Sequence, residues 1–228
     1  MHDLLERLRG GLIVSVQASA GSPLDDPSVI AALAEAAQNG GAAAVRIASI
    51  AHIRAVRRRV GVPVVGIVKR EVSEDLPYIT VAPEEAREIL RAGAEIVAFD
   101  ATGRPRPRSV TTEAMIDGIH TGGGLAMADC AREADGRTAL HAGADLIATT
   151  LCGYTKETRG AKLPALELVA AFASLGAFSV CEGGVASPAA AREAAKAGAD
   201  AVVVGAAITN IERVVASFAA ELQRSSRP

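Results

Sequence analysis

Short apolar runs alternate with longer stretches in which Ala, Glu and Arg recur at helical spacing, and the alternation continues along the chain. One phrase returns four times: Asn39-Gly-Gly-Ala-Ala-Ala-Val-Arg46, Arg91-Ala-Gly-Ala-Glu-Ile-Val-Ala98, His141-Ala-Gly-Ala-Asp-Leu-Ile-Ala148 and Lys196-Ala-Gly-Ala-Asp-Ala-Val-Val203. The copies stand roughly fifty residues apart, the mark of a repeating structural unit. In each, a helical pattern stops at Gly, which accepts the left-handed backbone that ends a helix, and a short apolar strand begins. Four more runs bounded by Gly, Pro or charge lie between them: Leu12 to Gln17, Val62 to Lys69, Leu125 to Ala131 and Phe178 to Glu182. Interleaved, these predict eight strands alternating with helices at roughly 28 residues per unit, an α/β chain closed into a (β/α)8 TIM barrel as one domain over residues 1–228. A doubly wound open sheet is the alternative. Against it, no Gly-x-Gly-x-x-Gly follows the first strand, and near-fourfold repetition suits a ring.

Composition narrows the function more than the fold. Half of the 228 residues are hydrophobic and 22% are charged, which excludes a disordered or fibrous chain. Aromatics make up only 3%, with no Trp, so binding by aromatic stacking is not expected. A net charge of −2 offers no cationic face for nucleic acid. The one basic cluster, Arg54, Arg57, Arg58 and Arg59, has the spacing of a solvated helix face. Three cysteines are too few for a disulfide framework and predict a reducing, cytoplasmic setting. Arg7 and Arg9 before the apolar Leu12 to Val16 outline a leader peptide, but Asp3 and Glu6 occupy its cationic region and the apolar core is too short. No segment reaches the ~18 uninterrupted apolar residues of a membrane span.

A parallel barrel gathers its chemistry at the C-terminal ends of its strands, where alternate residues point inward. The strands end in Gln17, Arg46, Lys69, Asp100, Asp129, Thr149 or Thr150, Glu182 and the backbone around Gly205. Lys69 continues the period-two face of Val65 and Ile67, which puts its ammonium at the mouth on the axis side. Glu182 ends Phe178-Ser-Val-Cys-Glu182 in the same phase. Gly183-Gly184 follows the seventh strand and Gly205 the eighth. Glycine loops there expose backbone N–H groups that hold a phosphate in this fold. Cys130 and Cys181 neighbour Asp129 and Glu182 out of phase, so they are expected to face the helices as packing residues, and with Cys152 they predict no metal site. His2, His52, His120 and His141 have no metal-ligand spacing, and Gly122-Gly123-Gly124 precedes the fifth strand, at the non-catalytic end.

These residues resemble the N-acetylmannosamine-6-phosphate 2-epimerase family over nearly the whole chain. The resemblance runs through Leu12-Ile-Val-Ser-Val-Gln-Ala18, Ala44-Val-Arg46, Pro63-Val-Val-Gly-Ile-Val-Lys-Arg70, Tyr78-Ile-Thr80, Ala98-Phe-Asp-Ala-Thr-Gly-Arg-Pro-Arg-Pro107, Met127-Ala-Asp129, Thr149-Thr-Leu-Cys-Gly-Tyr-Thr155 and Val203-Val-Gly-Ala-Ala-Ile-Thr209. It implies a barrel of the ribulose-phosphate-binding type, a phosphorylated N-acetylhexosamine as substrate, no cofactor and a homodimer. It also implies catalytic roles for Lys69 and Glu182 and substrate contacts for Gln17, Arg46 and Asp129. Two positions depart from the family, which commonly has Arg at 184 and at 210 where this chain has Gly184 and Asn210. An anion is then left to backbone N–H groups and to Arg46 or the Arg104-Pro-Arg106 loop.

Epimerisation next to a carbonyl needs a group that removes and returns a proton, and Lys69 fills that role only if its pKa falls well below the ordinary ~10.4. Burial and Arg46 would lower it and Glu182 would raise it; residue order does not say which prevails. Two other readings share these features. One is a phosphate-binding barrel aldolase or synthase with Lys69 as Schiff base, and the other is a sugar-phosphate-binding protein without turnover.

Overall fold

A computed structural model describes residues 2–225 apart from Glu71 and Glu74. The ends of the expected domain, Met1 and Pro228, lie outside the described residues, as does the side chain of His2. Eight strands run in chain order: β1 (Gly11–Val16), β2 (Ala44–Ala48), β3 (Val64–Ile67), β4 (Ile96–Asp100), β5 (Leu125–Asp129), β6 (Leu146–Ala148), β7 (Phe178–Glu182) and β8 (Ala201–Val204). Each pairs in parallel with the next, and β8 closes on β1 through Gly11–Ala201 to Val14–Val204. The predicted closed barrel is therefore the fold, and the open sheet is excluded.

Helices α1 (His2–Leu8), α2 (Pro27–Asn39), α3 (Ile50–Arg57), α4 (Pro83–Arg91), α5 (Thr112–Thr121), α6 (Glu133–His141), α7 (Leu166–Ser174), α8 (Pro188–Lys196), α9 (Ala206–Thr209) and α10 (Ile211–Ser225) complete the chain. The four repeated phrases are the turns from α2, α4, α6 and α8 into the next strand. Their Gly41, Gly93, Gly143 and Gly198 have φ of 96, 106, 97 and 105°, a left-handed conformation that costs glycine nothing and other residues about 1–3 kcal/mol.

Alternation along the strands builds two apolar layers. Ile13, Val65, Ile96, Met127, Leu146 and Val180 are among the inward residues, sealed from below by Leu8 of α1. The outward set, including Val45, Ile47, Val97, Phe99 and Ile147, meets the helices. Each fully buried Ile or Val side chain contributes about 1.5–3 kcal/mol relative to exposure. Cys130 and Cys181 fall in the outer layer, as their phase predicts, and all three cysteines are buried free thiols. The basic cluster on α3 is only partly a solvated face: Arg57 is half-buried, and its Nη1 donates to Glu95 at 2.8 Å because its stem lies over Gly93. No described helix is long and apolar enough to cross a membrane.

Candidate active site

Two residues beyond each last inward apolar side chain, the barrel turns polar. Ile13 is followed by Ser15 and Gln17, Ala44 by Arg46, Ile67 by Lys69, Met127 by Asp129, Ala148 by Thr150, Val180 by Glu182 and Val203 by Gly205. The period of two thus carries these groups to one end of one barrel. There they surround a cavity of about 680 Å³ lined by Gln17, Arg46, Lys69, Glu182, Gly183, Gly184 and Gly205, among others. That volume suits a single small ligand.

The floor is a buried charge cluster. Arg46 is 1% exposed and forms a fork with Asp129, Nη1 to Oδ1 at 3.1 Å and Nη2 to Oδ2 at 2.6 Å. Its Nη1 also lies 3.1 Å from Glu182 Oε2. Burial works against the Arg46 cation, but Asp129 and Glu182 more than compensate and raise its pKa. Asp129 is fully buried beneath Arg46 and is not among the residues lining the cavity. The sequence places it at the site; the structure places it behind Arg46, because both of its oxygens are engaged there.

Lys69 lies past the end of β3. Residues 68–70 run against 78–80 as a short antiparallel ribbon, with Arg70 N–H donating to the Tyr78 carbonyl at 2.9 Å and Thr80 N–H to the Val68 carbonyl at 2.8 Å. The side chain stands in the open mouth, reached by water yet walled by the barrel. Crowding lowers its pKa, helped by Arg46, and together these outweigh Glu182 and Asp129. Residue order left that contest open; here the balance falls on the side of a lowered pKa. Glu182 moves the opposite way: burial raises its pKa first of all and Asp129 adds to this, against Arg46, the Thr150 hydroxyl wherever it donates to the carboxylate, and Lys69. Its main chain is held by Thr149, whose hydroxyl donates to the Glu182 carbonyl at 2.9 Å and lies 3.0 Å from the Glu182 N–H.

Gln17 donates from Nε2 to Ser15 Oγ at 2.7 Å, while its buried Oε1 has no partner among the described residues. An acceptor so placed suits an N–H or O–H of a ligand. Gly183 and Gly184 have φ of 107 and 72°, and a Cβ at Gly184 would stand 2.4 Å from Leu163 Cβ. This backbone thus has no room for the side chain that the family commonly carries there.

The loop proposed to take over the anion does not reach the cavity. Arg104 Nη2 is 2.6 Å from Asp100 Oδ2, and Arg106 Nη2 donates to the Asp100 carbonyl at 2.5 Å. Both arginines fold onto the end of β4, because Asp100 is fully buried and needs them. Arg46 is likewise committed to Asp129 and Glu182. Arg213, in the first turn of α10, lines the cavity along with Gly183, Gly184 and Gly205, and its backbone N–H donates to Asn210 Oδ1 at 2.9 Å. Sequence reading missed it by looking only directly after the Ala-Ile-Thr motif. The signal was there, since Asn210 three residues before Arg213 is a helix-capping pattern.

Tyr78 also lines the cavity without having been singled out, and burial with Asp129 and Asp100 pushes its hydroxyl up to about 12. Among the described residues no group of His, Cys, Asp or Glu is arranged to hold a metal ion.

Residues 30–224 match the family described as "Putative N-acetylmannosamine-6-phosphate epimerase". The chain is 42% identical over its full length to the "Bifunctional enzyme NanE/NanK" of Brucella melitensis, of which it spans 44%. It is 43% identical over 214 residues to the "Putative N-acetylmannosamine-6-phosphate 2-epimerase" of Edwardsiella ictaluri, covering 94% of this chain and 90% of that one. Among solved structures, the N-acetylmannosamine-6-phosphate 2-epimerase of Clostridium perfringens superposes with a TM-score of 0.91 at 34% identity, over 95% of both chains. Thiamine phosphate pyrophosphorylase of Pyrococcus furiosus, TM-score 0.61 at 16% identity over 89% of this chain and 88% of that one, shares the barrel.

Proposed function

The chain belongs to the N-acetylmannosamine-6-phosphate epimerase family, and from that membership we propose that it converts N-acetylmannosamine 6-phosphate to N-acetylglucosamine 6-phosphate in amino-sugar breakdown. The observation that carries the chemistry is the meeting of Lys69 and Glu182 in one cavity over the buried Arg46–Asp129 pair, where the surroundings lower the lysine pKa and raise that of the glutamate.

Epimerisation begins with ring opening, a transfer of the anomeric hydroxyl proton to the ring oxygen. The Glu182 carboxylic acid gives its proton to the ring oxygen and takes the anomeric proton on its other oxygen, ending neutral as it began. The open aldehyde makes the hydrogen on the carbon bearing the amide acidic. Lys69, as a free amine, removes that proton and becomes an ammonium. The charge left on the enediolate oxygen is met by the new ammonium, with the buried Arg46 cation behind it adding a favourable field. The Lys69 ammonium returns a proton to that carbon once the planar enediolate has turned its opposite face toward it, and ring closure completes the exchange with no change of oxidation state.

Gln17 Oε1 is placed to accept from the acetamide N–H or a hydroxyl. The backbone of Gly183, Gly184 and Gly205, with the Arg213 guanidinium, holds the phosphate. A cytoplasmic setting is supported by the three free thiols. A homodimer is supported by the apolar stripe on α10, where Ile211, Val215, Phe218 and Leu222 are 51 to 70% exposed. Replacing Lys69 with Ala tests the reading: turnover of N-acetylmannosamine 6-phosphate is lost while circular dichroism and melting stay native, and a Lys69→Ala protein with unchanged activity overturns it.

A further inference from the structure

Glu182 Oε2 lies 3.1 Å from the Thr150 hydroxyl oxygen, and the same hydroxyl lies 2.6 Å from Asp129 Oδ1. A threonine hydroxyl has one proton and two lone pairs, so it donates to one of these carboxyls only. The shorter contact goes to Asp129. Asp129 must also be the ionised one, since both its oxygens receive N–H groups of a buried guanidinium in a bidentate fork. What Thr150 then turns toward Glu182 is a lone pair. Against an ionised carboxylate that arrangement is repulsive, leaving Arg46 Nη1, 3.1 Å from the same oxygen but shared with Asp129, to favour the charge; against a carboxylic O–H it is a hydrogen bond.

We propose that Thr150 is a positioning residue of the site: it gives its own proton to Asp129 and accepts from Glu182, holding that side chain as the carboxylic acid. The chain of donors runs from Glu182 through Thr150 to Asp129, with the Arg46 guanidinium forked onto Asp129 and touching Glu182 as well. The fold supplies the geometry by register. Asp129 ends β5, Thr150 lies two residues beyond Ala148 at the end of β6, and Glu182 ends β7, so three adjacent strands present the three groups in order. Thr149 contributes separately by fixing the Glu182 main chain. The other charged or titratable groups facing Glu182 are Arg46 from β2 and Lys69 from the segment after β3, with Tyr78 on the cavity wall; β1 and β8 add only Ser15, Gln17 and Gly205. The inference rests on the reading of Glu182 as the acid of ring opening.

The test compares the full chain with Thr150→Val, which keeps the shape without the hydroxyl, and Thr150→Ser, which keeps the hydroxyl. Carbon NMR of glutamate-labelled protein follows the Glu182 carboxyl through its titration, the signal being assigned by its loss in Glu182→Gln. This readout needs no substrate, so it stands apart from the epimerase reading, which fails on its own if the unaltered protein does not turn over N-acetylmannosamine 6-phosphate. Loss of an acceptor for the acid form lowers the Glu182 pKa, so the midpoint falls by about one pH unit in Thr150→Val. The alkaline limb of kcat/KM moves to lower pH with it, kcat drops about 10- to 100-fold as for other supporting groups, and Thr150→Ser restores both. A midpoint that rises or stays in place in Thr150→Val overturns the proposal. So does a Thr150→Ser protein no better than Thr150→Val.

Discussion

Lys69 and Glu182 start about six pH units apart as free side chains, and the cavity drives them toward each other. Burial penalises both charged forms, lowering the lysine and raising the glutamate. The neutral pair and the ion pair carry the same total charge, so passing between them leaves the balance over Arg46 and Asp129 undisturbed. The neutral pair is the form that can both open a ring and abstract a proton. Residue identity and phase were legible before the fold was known, because a strand's period of two fixes which side chains reach the mouth. What stayed hidden was partnership. Asp129 lies behind Arg46, and Arg104 and Arg106 brace Asp100, because buried carboxylates take the nearest guanidinium whatever their distance in sequence. Arg213, which lines the cavity with the glycines, is the arginine proposed to hold the phosphate. Replacing it with Ala should raise KM for the 6-phosphate about 10- to 100-fold, from the loss of about 1.5–3 kcal/mol of charged hydrogen bonding, while leaving the unphosphorylated sugar unaffected. Steady-state kinetics on both substrates checks this, and an equal change for both would remove Arg213 from phosphate binding.

At the level of elements, the four glycine turns announced the repeat, and the apolar runs located the strands to within two or three residues. β3 ends at Ile67, short of the expected Lys69, since the chain there leaves the sheet to pair with residues 78–80. No pattern of hydropathy reveals such a return. The β7–α8 turn is a second case, for Gly183 and Gly184 look equivalent in sequence and differ in surroundings. Both are left-handed, but only at Gly184 would a Cβ strike Leu163; at Gly183 the nearest atom is 4.0 Å away. Gly184→Ala should therefore cost more than Gly183→Ala, whose loss is the backbone strain alone, about 1–3 kcal/mol. The difference appears as a melting temperature lower by about 2–4 °C per kcal/mol in a chain of this size. Equal losses in the two variants would mean that Leu163 yields without resistance.

The whole molecule is a barrel with two apolar layers, and the most exposed large apolar side chains among the described residues lie along α10. There Ile211, Val215, Phe218 and Leu222 recur at spacings of four, three and four residues, the stripe of a helix that expects a partner. Phe218 also lines the cavity, so a second chain seated on α10 would border the active site. The unaltered protein should sediment as a two-chain particle. Val215→Glu combined with Leu222→Glu, two positions outside the cavity, should give single chains; a single-chain unaltered protein would contradict the dimer.

The most direct test of Lys69 as the proton carrier is proton NMR of N-acetylmannosamine 6-phosphate with the protein in deuterated water. The unaltered enzyme should produce the gluco epimer with deuterium on the carbon bearing the amide, since an ammonium in an open mouth exchanges with solvent. Lys69→Ala should produce neither epimer nor exchange. Epimer or exchange at the unaltered rate in Lys69→Ala would show that another group moves the proton.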